Sequence, residues 1–303
     1  MAGTVLLFHF PPGVESMVVR QVLEAKDVAY EDSVLNTLID EDIAPWYIEE
    51  LNENADVPTL VHGKKVITDV HYICSYIEKN FPEPSVVPTD ATQSAENTDW
   101  TKRCLSMANS VLYRKQSGVA RYMTIDKLMQ RLGTATQHKK DNPALASTYD
   151  NVIKKTQQLI NDLEDDNVSS QKMEELEAFL DELDLHLKQK QNMVGGTFTL
   201  ADTACIALLR HLEVSRLSGL WVDGKRRNIA RYYRRQKGSH PFGAAIEEYP
   251  MTLDLILPSL VSTGKRMLHK KPTQTALVGV AAVLGIGYLL RGPSPNAPIM
   301  VYF

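Results

Sequence analysis

Residues 57–70 read VPTLVHGKKVITDV, and this stretch decides the fold of the first part of the chain. Thr59 to His62 and Val66 to Thr68 are short β-prone runs on either side of Gly63-Lys64-Lys65, a spacing that predicts a β-hairpin. Asp69 to Asn80 follows, with apolar residues on one helical face and an acid in the first turn. The stretch therefore predicts two paired strands that lead into an amphipathic helix.

Upstream of this hairpin, strand patterns alternate with helix patterns. Val5 to Phe10 is an apolar run that ends at two prolines and a glycine, and Ser16 to Lys26 then has helical spacing. Tyr30 to Leu35 predicts a second strand, and Pro45 to Leu51 predicts a short helix. The resulting order, β-α-β-α-β-β-α over residues 1–82, is the pattern of a thioredoxin-like domain.

The second part of the chain predicts helices only. A proline-rich linker over residues 83–93 precedes a predicted helical domain at 94–262, which includes an extended insertion at about 115–170. The polar, basic part of that insertion fits either a mobile loop or a long exposed pair of helices. A leucine series from Leu176 to Leu187 has heptad-like spacing, which fits a coiled-coil seam, but it covers few heptads and therefore favours packing inside a helical domain.

The sequence Phe198-Thr199-Leu200-Ala201-Asp202 predicts the start of a central helix. Thr199 and Asp202 have the spacing of a capping box, in which each side chain binds the other residue's backbone N–H. The helix that follows is apolar on nearly all sides, so we expect it to lie at the centre of its domain.

Thr273 to Leu290 carries no charge and predicts a single transmembrane helix. At about 1.5 Å per residue it would span roughly 27 Å, close to the thickness of a bilayer core, whereas a buried soluble helix is the alternative. Basic residues flank it within residues 263–303, namely Lys265, Arg266, Lys270, Lys271 and Arg291. A segment this near the C-terminus predicts insertion after synthesis, with the preceding chain in the cytosol.

Composition excludes several classes of function. The 303 residues carry a net charge of −4, and the acidic part before the basic flank argues against nucleic acid as a partner. The three cysteines, Cys74, Cys104 and Cys205, are far apart and form no metal-binding motif, so neither a zinc site nor a disulfide framework is expected.

Val57-Pro58-Thr59-Leu60 and the Phe198 to Asp202 motif together resemble the glutathione S-transferase fold. The full predicted fold class is thus α/β plus all-α: a thioredoxin-like N-terminal domain, a helical C-terminal domain and one transmembrane helix. The resemblance implies that Pro58 follows a cis peptide bond and that the backbone of Val57 pairs with the cysteinyl group of glutathione.

Several further motifs resemble the ganglioside-induced differentiation-associated protein 1 family: Pro45-Trp46, Gly224 to Asn228, Tyr232-Tyr233, the terminal anchor and Tyr302-Phe303. This resemblance implies a tail-anchored protein of the mitochondrial outer membrane that faces the cytosol, with peroxisomes as a second location. It also implies a role in organelle fission and redox balance.

The catalytic part of a glutathione site is incomplete in the sequence. In serine-type glutathione transferases a hydroxyl follows the first strand and holds the thiolate, but Gly13 stands there, with the anionic Glu15 close by. Ser16 is the nearest hydroxyl and the one weak catalytic candidate, although a helix cap is the other interpretation. His9 is interpreted as a core histidine.

The binding part of the site is also reduced. Asp69-Val70 stands where the resemblance implies an acid or amide followed by serine, which would grip the γ-glutamyl carboxylate of glutathione. The residual cofactor-binding positions are Val57, Pro58, Asp69 and Val70, and we expect weak binding of glutathione or another small anion at most.

The predicted function is therefore binding in organelle dynamics and redox-linked signalling rather than catalysis. The alternative is a membrane-anchored, glutathione-dependent transferase that acts on lipid-derived electrophiles. The expected partners are the bilayer at Thr273 to Leu290, an anionic lipid or acidic protein at Lys225 to Lys237, and a second copy of the chain. The acids from Asp162 to Asp184 are expected to face away from that basic segment.

Overall fold

The computed structural model describes residues 4–114, 118–222, 224–252 and 255–259. Within them, one four-stranded sheet has the order β2-β1-β3-β4. Its strands are β1 (Val5–His9), β2 (Tyr30–Val34), β3 (Thr59–His62) and β4 (Lys65–Ile67). β1 is parallel to β2 and antiparallel to β3, and β3 pairs with β4 as the predicted hairpin.

Three helices complete the first domain: α1 (Val14–Ala25), α2 (Pro45–Glu50) and α3 (Val70–Asn80). α1 and α3 pack against each other and bury their apolar faces with Leu7 and Leu60 of the sheet. Two short 3-10 turns, Thr37–Ile39 and Glu41–Ile43, come before α2 and were not evident in the hydrophobic pattern. The predicted thioredoxin-like domain is confirmed.

The described part of the second domain is helical, as predicted. It contains α4 (Ala91–Ser106), α5 (Gly118–Asp141), α6 (Ala146–Glu164), α7 (Asp166–His186), α8 (Leu200–Val214), α9 (Gly219–Val222), α10 (Arg227–Gln236) and α11 (His240–Phe242). A π-helical turn, Gly243–Glu247, follows. α4 begins before the expected residue 94, because Asp90 caps it by accepting the N–H of Gln93 at 2.9 Å.

α8 is the central helix and begins with the predicted capping box. Oδ2 of Asp202 accepts both the backbone N–H of Thr199 at 2.9 Å and the Thr199 hydroxyl at 2.8 Å. α8 packs on α1 and α4, so one hydrophobic core runs through both domains. Leu176, Leu180 and Leu183 of α7 lie in this core, so the coiled-coil alternative is wrong.

α5 and α6 form the predicted insertion, but it is not simply exposed. The two helices pack against each other and against the first domain, where Ala135 and Tyr149 are fully buried next to Ile43. The Tyr149 hydroxyl donates to the carbonyl of Ile43 at 3.1 Å. The insertion therefore covers the segment that follows β2.

The predicted anchor, Thr273 to Leu290, and the flanking residues 263–303 lie outside the described residues. Among the helices that the structure does describe, none is both long and apolar enough to cross a bilayer.

Candidate functional site

The loop between β1 and α1 is the place where the resemblance implies a hydroxyl that activates the thiolate. The Gly13 N–H donates to the carbonyl of Phe10 at 2.9 Å, and this turn is tight. A Cβ atom at position 13 would lie 3.1 Å from that carbonyl oxygen and 3.3 Å from Oγ of Ser16. Both contacts are tight, so a serine at position 13 would require these neighbours to shift by a few tenths of an ångström.

Ser16 is buried and already in use. It is 1% exposed, and its Oγ accepts the backbone N–H of Phe10 at 3.3 Å. It is not a helix cap, because α1 begins at Val14 with Gly13 as its N-cap residue. The structure thus places the weak catalytic candidate as a support of the loop, and the helix-cap interpretation is wrong.

His9 is a core residue, as expected, but its partner Arg20 was missed. Nδ1 of His9 lies 2.7 Å from the Arg20 guanidinium and Nε2 lies 3.1 Å from Asp32. Burial and the charge of Arg20 lower the pKa of His9 to about 4. Arg20, fully buried, also donates to the carbonyls of Pro11 and Ala245, so it holds the loop and the end of the helical domain together.

Val57 and Pro58 have the backbone arrangement that the resemblance implies. The Val57-Pro58 bond is cis, and Tyr47 and Asn52 both donate to the carbonyl of Asp56 at 2.7 Å. The Val57 N–H donates to the Asp56 carboxylate at 2.8 Å. A glutathione cysteinyl group would have to compete with that carboxylate for the same N–H.

Asp69 and Val70, at the start of α3, have different roles. Asp69 caps the helix: its Oδ1 accepts the N–H groups of His71 at 2.9 Å and Tyr72 at 3.0 Å. Val70 is only 5% exposed, and its side chain belongs to the core. Because two helix N–H groups already bind Asp69, little of this helix terminus remains for a ligand carboxylate.

Glu15 has a pKa well above the ordinary value of a carboxyl group. Burial raises the pKa of Glu15 to about 7, and the nearby charges of Asp56 and Asp69 add to the effect. Near neutral pH the charged and neutral forms of this carboxyl group are therefore both well populated. When charged, it opposes both a thiolate and an anionic ligand.

A cavity of about 530 Å³ joins Gly13, Glu15 and Val57 to the helical domain, whereas Ser16, Pro58, Asp69 and Val70 do not line it. Glu15 and Val57 line one side, and Lys127 and Arg131 of α5 line another. Cations of α5 thus face carboxylates of the first domain. A ligand in this cavity would contact both domains and the α5–α6 insertion.

Two ion pairs hold α5 at the cavity wall. Arg131 binds both carboxylate oxygens of Asp42, at 3.0 and 2.6 Å, and Nζ of Lys127 lies 3.2 Å from Asp40. Both acids are nearly fully buried. These residues were missed because nothing in a sequence shows that a helix at 118–141 meets a turn near residue 41.

The basic segment from Lys225 to Lys237 divides into two groups. Arg226 is buried and pairs with Asp181 at 2.8 Å, and Lys237 pairs with Glu213 at 2.5 Å. The other basic residues are exposed: Lys225, Arg227, Arg231, Arg234 and Arg235. The predicted partner surface is thus smaller than the sequence indicated.

The acids of α7 do not all face away from this segment. Besides Asp181, Asp184 accepts the N–H groups of Asn228 at 2.8 Å and Ile229 at 3.0 Å and so caps α10. That part of the expectation is wrong, because Asp184 satisfies the N–H groups at the start of α10 and Asp181 compensates the charge of the buried Arg226.

Family models match both domains. Residues 7–85 match the glutathione S-transferase N-terminal domain and residues 160–235 match the glutathione S-transferase C-terminal domain. Among solved structures, the beta-etherase LigF from Sphingobium sp. strain SYK-6 has a TM-score of 0.62 and 20% sequence identity. That match covers 81% of this chain and 99% of LigF, and it shows a shared fold.

Two relatives extend over most of the chain. The tetrachloro-p-hydroquinone reductive dehalogenase of Sphingobium chlorophenolicum is 28% identical, over 80% of this chain and 95% of its own length. The ganglioside-induced differentiation-associated protein 1-like 1 of Homo sapiens is 24% identical, over 89% of this chain and 80% of its own length. The second match confirms the resemblance read from the sequence motifs.

Proposed function

Because the chain belongs to the glutathione S-transferase-like family, in its ganglioside-induced differentiation-associated protein 1-like branch, we propose that it acts mainly by binding rather than by catalysis. In this proposal it is tail-anchored in the mitochondrial outer membrane, with peroxisomes as a second location, and faces the cytosol. It takes part there in organelle fission and redox-linked signalling. The similarity to the human relative and the uncharged segment Thr273 to Leu290 support this location.

The state of Ser16 and Glu15 is the observation that supports binding without catalysis. A free thiol titrates near pH 8.5, so a transferase must stabilise the thiolate of glutathione with a donor. Here the nearest hydroxyl is buried under the loop, and Glu15, which lines the cavity, has a carboxyl group that is already largely negative at the pH where a free thiol ionises. Both features act against thiolate formation.

One observation favours the alternative enzyme. A carboxylate whose pKa is raised to about 7 is suited to general base catalysis, and Glu15 lines the cavity. In that reaction the Glu15 carboxylate would take the thiol proton of glutathione while the sulfur adds to the β-carbon of a lipid-derived α,β-unsaturated carbonyl. The C=C π bond is lost as the C–S bond forms, and Glu15 would return the proton to the α-carbon. Two relatives are named as glutathione-linked or dehalogenating enzymes, which fits this second function.

Glutathione titration and a conjugation assay separate the two functions. We expect weak binding of glutathione by calorimetry and negligible conjugation with a chlorinated nitrobenzene. Glu15→Gln removes the charge and should strengthen glutathione binding, whereas Glu53→Gln, at an exposed acid, should not. Robust conjugation that disappears in Glu15→Gln would instead establish the enzyme, and its disappearance in Ser16→Ala would give that role to Ser16.

Deleting Thr273 to Phe303 tests the location. The deletion leaves every described residue in place, and we expect the shortened chain to be released by alkaline carbonate extraction. Retention in the membrane pellet would exclude the anchor. Replacing Lys265, Arg266, Lys270, Lys271 and Arg291 with serine should redirect a fluorescent fusion away from mitochondria if these charges select the membrane.

A further inference from the structure

A separate cavity, of about 460 Å³, lies between the turn before α5, the first turns of α5 and the junction of α6 with α7. It shares only Leu112 and Thr124 with the cavity that Glu15 lines, and no described residue of the first domain lines it. Its lining residues from 112 to 125 also lie outside both ranges that match the family models. The α5–α6 insertion therefore builds this cavity, which is not part of the glutathione site.

Two arginines give this insertion cavity a cationic side. Arg114 and Arg121 line it, and Asp166 is the one acid among the described lining residues, which leaves a formal charge of +1. Arg121 donates to Asp166 at 2.7 Å and to the carbonyl of Leu163 at 2.6 Å. Because a guanidinium group has five N–H donors, Arg121 can bind a further acceptor. The side chain of Asp166 is 85% exposed, so water screens this ion pair and a ligand can compete with it.

The insertion cavity also has an apolar side. Leu112, Ile125, Leu163 and Met173 line it, and Leu163 is only 6% exposed. A thioether such as that of Met173 makes favourable contacts with aromatic rings, and a guanidinium plane stacks on them. Since a cavity of about 150 Å³ already holds benzene, this one has room for a ring and a polar substituent. The walls therefore suit a flat ring that carries a charged group.

We propose that the insertion cavity binds a single-ring aromatic monocarboxylate, with its ring against Ile125 and Met173 and its carboxylate hydrogen-bonded to Arg114 and Arg121. The fork of a guanidinium group matches the two oxygens of a carboxylate, and such charge-assisted hydrogen bonds are stronger than neutral ones. One negative charge balances the +1 of the lining residues, whereas a ligand amine would be repelled. The site does not depend on the function proposed above.

Fluorine NMR with three probes tests this site on the purified full-length chain. We expect para-fluorobenzoate to bind with a dissociation constant of about 1 mM, and about tenfold more tightly than fluorobenzene or para-fluorobenzylamine, because only the benzoate has a carboxylate. Arg114→Gln should weaken benzoate binding by about tenfold and leave fluorobenzene binding unchanged. Arg234→Gln removes the same charge from the exposed face of α10 and should change neither.

Three tryptophan variants locate the probe. Ser170 lines the insertion cavity at an exposed position, so Ser170→Trp should block benzoate binding, whereas Ser147→Trp, at an exposed position of α6 outside the cavity, should not. Asn109 lines only the cavity next to Glu15, so Asn109→Trp should leave benzoate binding unchanged. Thermal unfolding shows that each variant is folded. The proposal is overturned if benzoate binding survives Ser170→Trp, if Asn109→Trp removes it, or if Arg114→Gln and Arg234→Gln weaken it equally.

Discussion

Tyr232 donates its hydroxyl to Oδ1 of Asp202 at 2.7 Å, and both residues are fully or almost fully buried. The same oxygen accepts the backbone N–H of Met193 at 2.8 Å, while the other oxygen serves Thr199. One carboxylate therefore joins the start of α8 to α10 and to the segment before α8. Burial raises the pKa of Asp202 despite these four donors.

Asp202→Ala should destabilise the helical domain by much more than the loss of an ordinary helix cap does. It leaves the Tyr232 hydroxyl and two backbone N–H groups buried without acceptors, and each such group costs about 1 to 3 kcal/mol. We expect a loss of about 3 to 5 kcal/mol in the free energy of unfolding, measured by urea denaturation.

Asp90→Ala is the matched control for this prediction. Asp90 also caps a helix, but it is exposed, so its loss should cost only about 1 kcal/mol. If the two variants unfold at the same urea concentration, Asp202 is no more than a helix cap.

Arg131→Gln should loosen the α5–α6 insertion from the first domain. The substitution leaves Asp42, only 4% exposed, without its bidentate partner, and an uncompensated buried charge costs about 3 to 5 kcal/mol. We expect faster hydrogen exchange in α5 and in residues 36–44, measured by mass spectrometry. Lys139→Gln breaks the more exposed pair with Asp150 and should change little. Equal exchange in the two variants would show that the ion pair does not hold the insertion.

The sequence was sufficient to predict those elements that depend on residues close together in the chain. The hairpin, the cap of α8 and the strand-helix order of the first domain depend on neighbouring residues, so they could be predicted. The cavity could not, because it depends on contacts between distant segments, such as Arg131 with Asp42 and Arg20 with Ala245. An arginine within an apolar helix face was the one available signal, and at Arg20 it marks a buried group that binds two carbonyls.

The stability of the protein should fall as the pH rises towards neutrality, through Glu15. Its pKa is about 7 in the folded chain against an ordinary 4.5, so the folded state holds the proton longer. The stability from this group is complete below about pH 4.5 and is lost as the pH rises through about 7. The whole change amounts to at most about 3 kcal/mol.

Glu15→Gln tests this pH dependence. The amide cannot ionise. The free energy of unfolding, measured by urea denaturation at about pH 5 and about pH 8, should therefore change less with pH in the variant than in the wild type. Glu53→Gln removes an exposed acid and should keep the wild-type dependence. If the stability of Glu15→Gln still falls with pH as it does in the wild type, the pH dependence comes from other groups.

The exposed cations of α10 should bring the protein body to anionic lipid independently of the anchor. Arg227, Arg231 and Arg234 are exposed on α10 and each should contribute about 1 kcal/mol near a negative surface. We expect the chain that lacks Thr273 to Phe303 to sediment weakly with vesicles that contain phosphatidylserine and not with pure phosphatidylcholine. Changing these three arginines to serine should lower that binding by roughly 100-fold.

The control is a second triple variant that removes the same amount of positive charge from parts of the surface outside α10. Lys64, Lys79 and Lys102 are exposed and lie outside α10, so their replacement with serine should reduce binding only slightly. Raising the salt concentration should weaken the wild-type interaction, since surface charges are screened within about 10 Å at moderate ionic strength. If both triple variants lose binding equally, the attraction is due to net charge and α10 is not a specific lipid-facing surface.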